Sequence, residues 1–96
     1  MAANFRIVSH RKGGNLRLNL IGDFDGTSAH ELLNALTRNI ATACSIFIDT
    51  NGLKTIYPFG REIFRNYLSA FEKRSGRLVF TGEKKFAIAP QGSKYL

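Results

Sequence analysis

Cysteine is almost absent from this chain. The one present, Cys44, has no partner, so no internal disulfide can form and a disulfide-stapled secreted scaffold is excluded. A reducing compartment is the default, and a cytoplasmic location is expected. Tryptophan is missing, and acid is scarce: seven Asp and Glu stand against fourteen Lys and Arg, a net charge of +7. No apolar run approaches the roughly 18 residues of a membrane-spanning helix, so no transmembrane segment is expected. The opening Met-Ala-Ala-Asn-Phe has no basic region leading into an apolar one, so no signal peptide is expected either.

What remains is a globular composition. The 96 residues are 44% apolar, with eight Phe and three Tyr, enough for one domain with a modest core. The basic residues are spread along the chain, with no block of five or six like charges, so there is no basic tail. Such a charge permits binding to nucleic acid, an anionic lipid surface or an acidic protein, and selects none of them.

Hydrophobic patterning gives the element order β-β-α-β-α-β. Phe5 and Ile7 mark a short strand over Asn4–Ser9, and Leu16, Leu18 and Leu20 a second, half-buried one. The turn between them, His10 to Asn15, carries Gly13 and Gly14, so the two strands read as an antiparallel hairpin. Gly22 to Gly26 reads as a loop. Ser28 with Glu31 fits a capping box, and Leu32, Leu33, Leu36 and Ile40 then share one helical face. Ser45 to Asp49 reads as a central strand buried on both faces and broken by Thr50-Asn51-Gly52. Pro58 opens the next helix, with an apolar stripe of Phe59, Ile63, Phe64, Tyr67, Leu68 and Phe71 ending near Ser75-Gly76. Arg77 to Thr81 is the last clear strand. Helices between the later strands imply parallel pairing there. The core spans about residues 4–82; in the tail, 83–96, Phe86 to Ala89 fits a turn of helix or an edge strand.

With that order in place, the chain resembles a STAS domain, the fold of anti-sigma factor antagonists. Gly22-Asp23-Phe24-Asp25 stands where that family commonly has Gly-Glu-Leu-Asp. Asp49 closes the third strand, Gly60 follows eleven residues later where the family has the glycine of Asp-Ser-Ser-Gly, and Arg77-Leu78-Val79-Phe80 matches the last main strand. The resemblance implies a mixed sheet, an N-terminal antiparallel hairpin and then β-α-β-α-β with parallel strands, helices packed on the sheet, and a C-terminal helix that is short or absent. It also implies that a sheet face left open by that short helix is an interaction surface, for a partner or a second protomer. One departure bears on function. In switching members the second serine of Asp-Ser-Ser-Gly is phosphorylated by a partner kinase; here those positions read Tyr57-Pro58-Phe59-Gly60, with no hydroxyl at the switch position.

Individual residues support binding rather than chemistry. Asp23 and Asp25 have no His, Cys or further acid at ligand spacing and read as turn carboxylates near a helix start; the resemblance makes Asp25 partner-facing. Cys44 reads as a packed small side chain. His10 and His30 have no metal-ligand neighbours, and Gly13-Gly14 lacks the Lys and hydroxyl of a phosphate loop. Thr50 and Thr55 read as turn hydroxyls near the lost switch. Lys54, Arg61 and Arg65 read as a basic patch beside a helix N-terminus, edged by Tyr57 and Phe59; Arg61 and Arg65, four apart, share a helix face. No nucleophile–base pair, metal cluster or cofactor loop is present in the sequence. The expectation is a non-enzymatic, cofactor-free regulatory module of a bacterial signalling type. Its expected partner is an acidic protein, an anti-sigma factor or a kinase-like protein. A subunit of a lipid-transport ABC system, docked on the transporter ATPase, is the alternative within the resemblance; direct binding of nucleic acid or anionic lipid is the alternative outside it and is not favoured.

Overall fold

A computed structural model describes residues 4–68, 78–89 and 94–95. The elements follow in the order β1 Arg6–Lys12, β2 Asn15–Phe24, α1 Gly26–Asn39, β3 Ser45–Ile56, α2 Pro58–Leu68, β4 Leu78–Thr81, α3 Lys85–Ile88 and β5 Lys94–Tyr95. The strands form one sheet in the order β1-β2-β3-β4-β5, antiparallel between β1 and β2 and parallel from there on. This is the mixed sheet expected from the sequence, lengthened by a turn of helix and a two-residue edge strand from the tail.

Alternation decides which face is covered. Along β2 the buried residues are Leu16, Leu18, Leu20, Gly22 and Phe24, with exposed or half-buried ones between them. Along β3, Ile46, Ile48 and Thr50 are buried, while Phe47 and Asp49 are half-buried. Among the described residues the helices therefore cover one face of the sheet, and β3 is not buried on both faces as its apolar run suggested. The core on the covered face joins these residues to Ala29, Leu32, Leu33, Leu36 and Ile40 around α1, Phe64 and Leu68 of α2, and Phe80 of β4. Phe24, Phe64 and Phe80 meet edge to face in series, with centroids 6.0 and 6.2 Å apart. Short α3 still buries Ile88, with Ala89 just beyond it, so the face it covers is not left open. Among the described residues no helix covers the opposite face, which carries Arg6, His10, Lys12 and Arg17 beside half-buried Val8, Ile21 and Phe47.

Several boundaries differ from those the sequence suggests. Pairing carries β1 through His10, Arg11 and Lys12, so the hairpin turn shrinks to Gly13-Gly14. Gly22 to Phe24 is strand, not loop, because β2 and β3 stay paired as far as Phe24 and Ile56, across register shifts. The shift after Gly22 uses a backbone at φ +100°, which only glycine adopts without strain. Thr50-Asn51-Gly52 does not end β3: the buried Thr50 hydroxyl donates to the Thr81 carbonyl at 2.7 Å, so a residue that reads as a turn former instead ties β3 to β4. The cap of α1 is Asp25, three residues earlier than Ser28. Cys44 is exposed, not packed. Phe71, Ser75 and Gly76 lie outside the described residues.

Candidate functional site

The corner where β2 enters α1 and β3 enters α2 is tightly built. Asp25 Oδ1 accepts the Ser28 backbone N–H at 2.9 Å, and the Ser28 hydroxyl lies 3.0 Å from the same oxygen. That backbone hydrogen bond favours the carboxylate, so the Asp25 carboxyl titrates below its ordinary value of 3.8, with partial desolvation opposing it. The Tyr57 N–H donates to the Phe24 carbonyl at 2.9 Å and holds the start of α2 against the end of β2. Gly60 is in the first turn of α2. A Cβ there would lie 2.5 Å from the Asp25 carbonyl carbon and 2.6 Å from its oxygen. Only a glycine lets α2 come this close.

That close approach splits the apolar stripe of α2 into two rows about 100° apart around the helix. Gly60, Phe64 and Leu68 form the buried row. Phe59, Ile63 and Tyr67 form the second. Ile63 is half-buried, Tyr67 is 56% exposed and Phe59 is 70% exposed, so the apolar stripe read from the sequence, Tyr67 included, is not buried as one face. This second row faces α1. A groove of about 500 Å³ runs between the helices, lined by Asp25, Gly26, Thr27, His30, Phe59 and Ile63. The His30 ring sits 5.6 Å from Tyr67, and Tyr57 is 47% exposed at the start of α2.

Asp25 and Phe59 are thus brought together in one groove, with Tyr57 beside them in the chain. The basic members of the predicted site are not. Arg61 and Arg65 are half-buried, and Arg65 donates to the Phe86 carbonyl of α3 at 3.3 Å, so they do not form the freely exposed stripe that four-residue spacing suggested. Lys54 is exposed, but on β3 rather than in a loop. None of the three lines the groove. Gly26, Thr27, His30 and Ile63 are the groove residues that the sequence reading missed, with Tyr67 beside the His30 ring. The available signal was the pair of i, i+4 rows on α2, one of which holds Gly60, the residue that packs closest. Among the described residues no three His, Cys, Asp or Glu side chains converge on a metal position. No described helix is long and apolar enough to cross a membrane.

Solved structures match this architecture at low sequence identity. The anti-sigma factor antagonist SpoIIAA, in its unphosphorylated form, superposes with a TM-score of 0.66 at 12% identity, over 96% of this chain and 86% of its own. A protein of the DUF3478 family from Shewanella loihica, described as having a SpoIIAA-like fold, gives 0.65 at 15% identity over 100% of this chain and 90% of its own. The structure of Mglu gives 0.64 at 17% identity over 90% of this chain, as 20% of a much longer protein. No protein-family model matches the chain, and no curated protein sequence matches it. The chain has the STAS-like fold of SpoIIAA.

Proposed function

We propose that this chain is a non-enzymatic, regulatory protein-binding module that meets its partner at the α1–α2 corner and is not switched by serine phosphorylation there. One observation carries the proposal: a large aromatic ring, Phe59, stands 70% exposed beside the Asp25 cap, at the position where the STAS resemblance places the switch serine. An exposed phenylalanine flanked by Ile63, Tyr57 and Tyr67 has no stabilising role that exposure would serve, and aromatic residues are the usual anchors of protein interfaces. The fixed cap and the Gly60 contact hold the ring on a rigid frame, which lowers the ordering cost of docking. Of the nearby hydroxyls, Thr55 and Tyr57 are exposed, whereas Thr50 gives no ready substitute switch. Thr50 is fully buried and bonded to β4, and it also accepts the Lys84 N–H at 3.2 Å. Binding is then constitutive, or controlled elsewhere in the partner's pathway.

The test is affinity capture from native cells with wild type and Phe59→Ala, quantified by mass spectrometry, with the intact mass of the captured protein read alongside. The proposal expects the captured partner to be an anti-sigma-type or kinase-like regulatory protein. It expects that partner to be lost in the variant and the protein to carry no phosphate. Equal recovery by both proteins would remove the corner from the interface. A stoichiometric phosphate on Thr55 or Tyr57 would overturn the unswitched reading, and a transporter ATPase as the captured partner would move the assignment to a lipid-transport subunit.

A further inference from the structure

The opposite side of the molecule carries a second surface that the α1–α2 corner does not use. β1 is the outer strand of the sheet, seven residues long, in unbroken register with β2 from Arg6 to Lys12. It contains no proline, bulge or acid, the features other than positive charge that commonly blunt a free edge. Four of its seven residues are Arg6, His10, Arg11 and Lys12, all exposed. Register puts Arg6, His10 and Lys12 on the helix-free face beside Arg17, since His10 pairs with Arg17 and Arg17 lies between the buried Leu16 and Leu18. There a cleft of about 520 Å³ is lined by His10, Lys12, Asn15, Arg17 and Phe47. Asp49 of β3 is engaged by Arg17 at 3.4 Å.

We propose that the β1 edge and this cleft bind an extended acidic segment of a partner protein, added as a sixth strand beside β1. The edge offers the outward backbone groups of a strand about 23 Å long, at 3.3–3.4 Å per residue. Side chains of an added strand alternate, so carboxylates at every second position fall on the helix-free side, over Arg6, His10 and Lys12. A carboxylate near the hairpin end reaches the mouth of the cleft. Two other occupants fit less well. A second copy of this chain pairing antiparallel edge to edge about Ser9 sets Arg6 against Lys12 twice, and directly opposed like charges destabilise a strand pair. Single-stranded nucleic acid needs open aromatic platforms for its bases. On this face Phe47 is half-buried, with the Arg17 guanidinium 5.8 Å over its ring.

The experiment titrates isotope-labelled full-length protein with a blocked peptide of about seven residues alternating Glu and Val, matched to β1 in length. A Lys-Val peptide and an oligouridine serve as comparison probes at about 150 mM salt. The proposal expects amide shifts and slowed exchange confined to β1 and the hairpin with the Glu peptide. It expects binding at least about tenfold weaker for the Lys peptide and for the variant Arg6→Glu with Lys12→Glu, whose melting temperature serves as the folding control. N-methylation of alternate peptide residues separates strand addition from plain charge attraction: one of the two methylation registers abolishes binding. Equal binding of both registers, no preference for Glu over Lys, or tighter binding of oligouridine would each overturn the proposal. Phe59→Ala leaves this titration unchanged, so its outcome is independent of the α1–α2 reading.

Discussion

The α1–α2 corner and the helix-free sheet face are built from opposite materials. The corner is aromatic and held rigid: Phe59, Ile63, Tyr67 and His30 surround one capped helix start, and Gly60 fixes the distance between α2 and Asp25. The sheet face is basic, with Arg6, His10, Lys12 and Arg17 standing on two strands. Anchored rings give affinity through buried area and preorganisation. Spread charge gives steering and partner choice, and weakens with salt. A net charge of +7 therefore says little about the corner where the resemblance places docking, because no Lys or Arg lines that groove.

The sharpest contrast lies within α2 itself, between its two rows. Phe64 is fully buried between Phe24 and Phe80, so Phe64→Ala should cost about 3–5 kcal/mol. Phe59→Ala, five residues away on the exposed row, should stay within about 0.5 kcal/mol. Chemical denaturation of both variants checks this. Similar losses for the two would mean that Phe59 packs and the rows are not distinct.

Gly60→Ala comes next. Alanine is the better helix former by about 1 kcal/mol, yet its Cβ would meet the Asp25 backbone at 2.5 Å, and overpacking of this kind costs about 1–3 kcal/mol. At a contact this short the upper end applies, so a net loss of about 1–2 kcal/mol is expected. A neutral or stabilising result would show that α2 can back away from the α1 cap, and the corner would lose its claim to rigidity.

The cap comes last. Asp25→Ala should cost about 0.5–2 kcal/mol near neutral pH. The folded state lowers the Asp25 pKa, so its unfolded chain binds the proton more readily. Its contribution is fully present above the ordinary value of 3.8 and is lost as pH falls through the lower folded value. Wild type and Asp25→Ala should therefore draw together in stability as pH falls below about 3.8 and keep a constant separation above it, as read from melting curves across that range. Parallel curves would assign the shift to another group.

Much of the fold is legible in the sequence, and for identifiable reasons. Leu16, Leu18 and Leu20 alternate, and Leu32, Leu33, Leu36 and Ile40 follow a helical face; the structure buries all seven. Local signals mislead where a distant contact overrides them. Gly22 to Phe24 has loop composition but continues a strand, because β3 pairs alongside it. Thr50 has turn chemistry but is consumed by the Thr81 carbonyl, 31 residues away. At the candidate site, Asp25 and Phe59 are found by motif position, whereas His30, Ile63 and Tyr67 depend on which row of α2 faces α1. That choice is made by one tertiary contact, the backbone of Asp25 against Gly60.

The central claim is that the partner touches the exposed row of α2. A photo-reactive phenylalanine analogue at position 59 tests it directly in living cells, with the same analogue at exposed position 41, just past the far end of α1, as the control. The account predicts a single strong covalent adduct from position 59 and none from position 41. Equal adducts from both positions, or none from position 59 while the partner still co-purifies, would place docking elsewhere on the molecule.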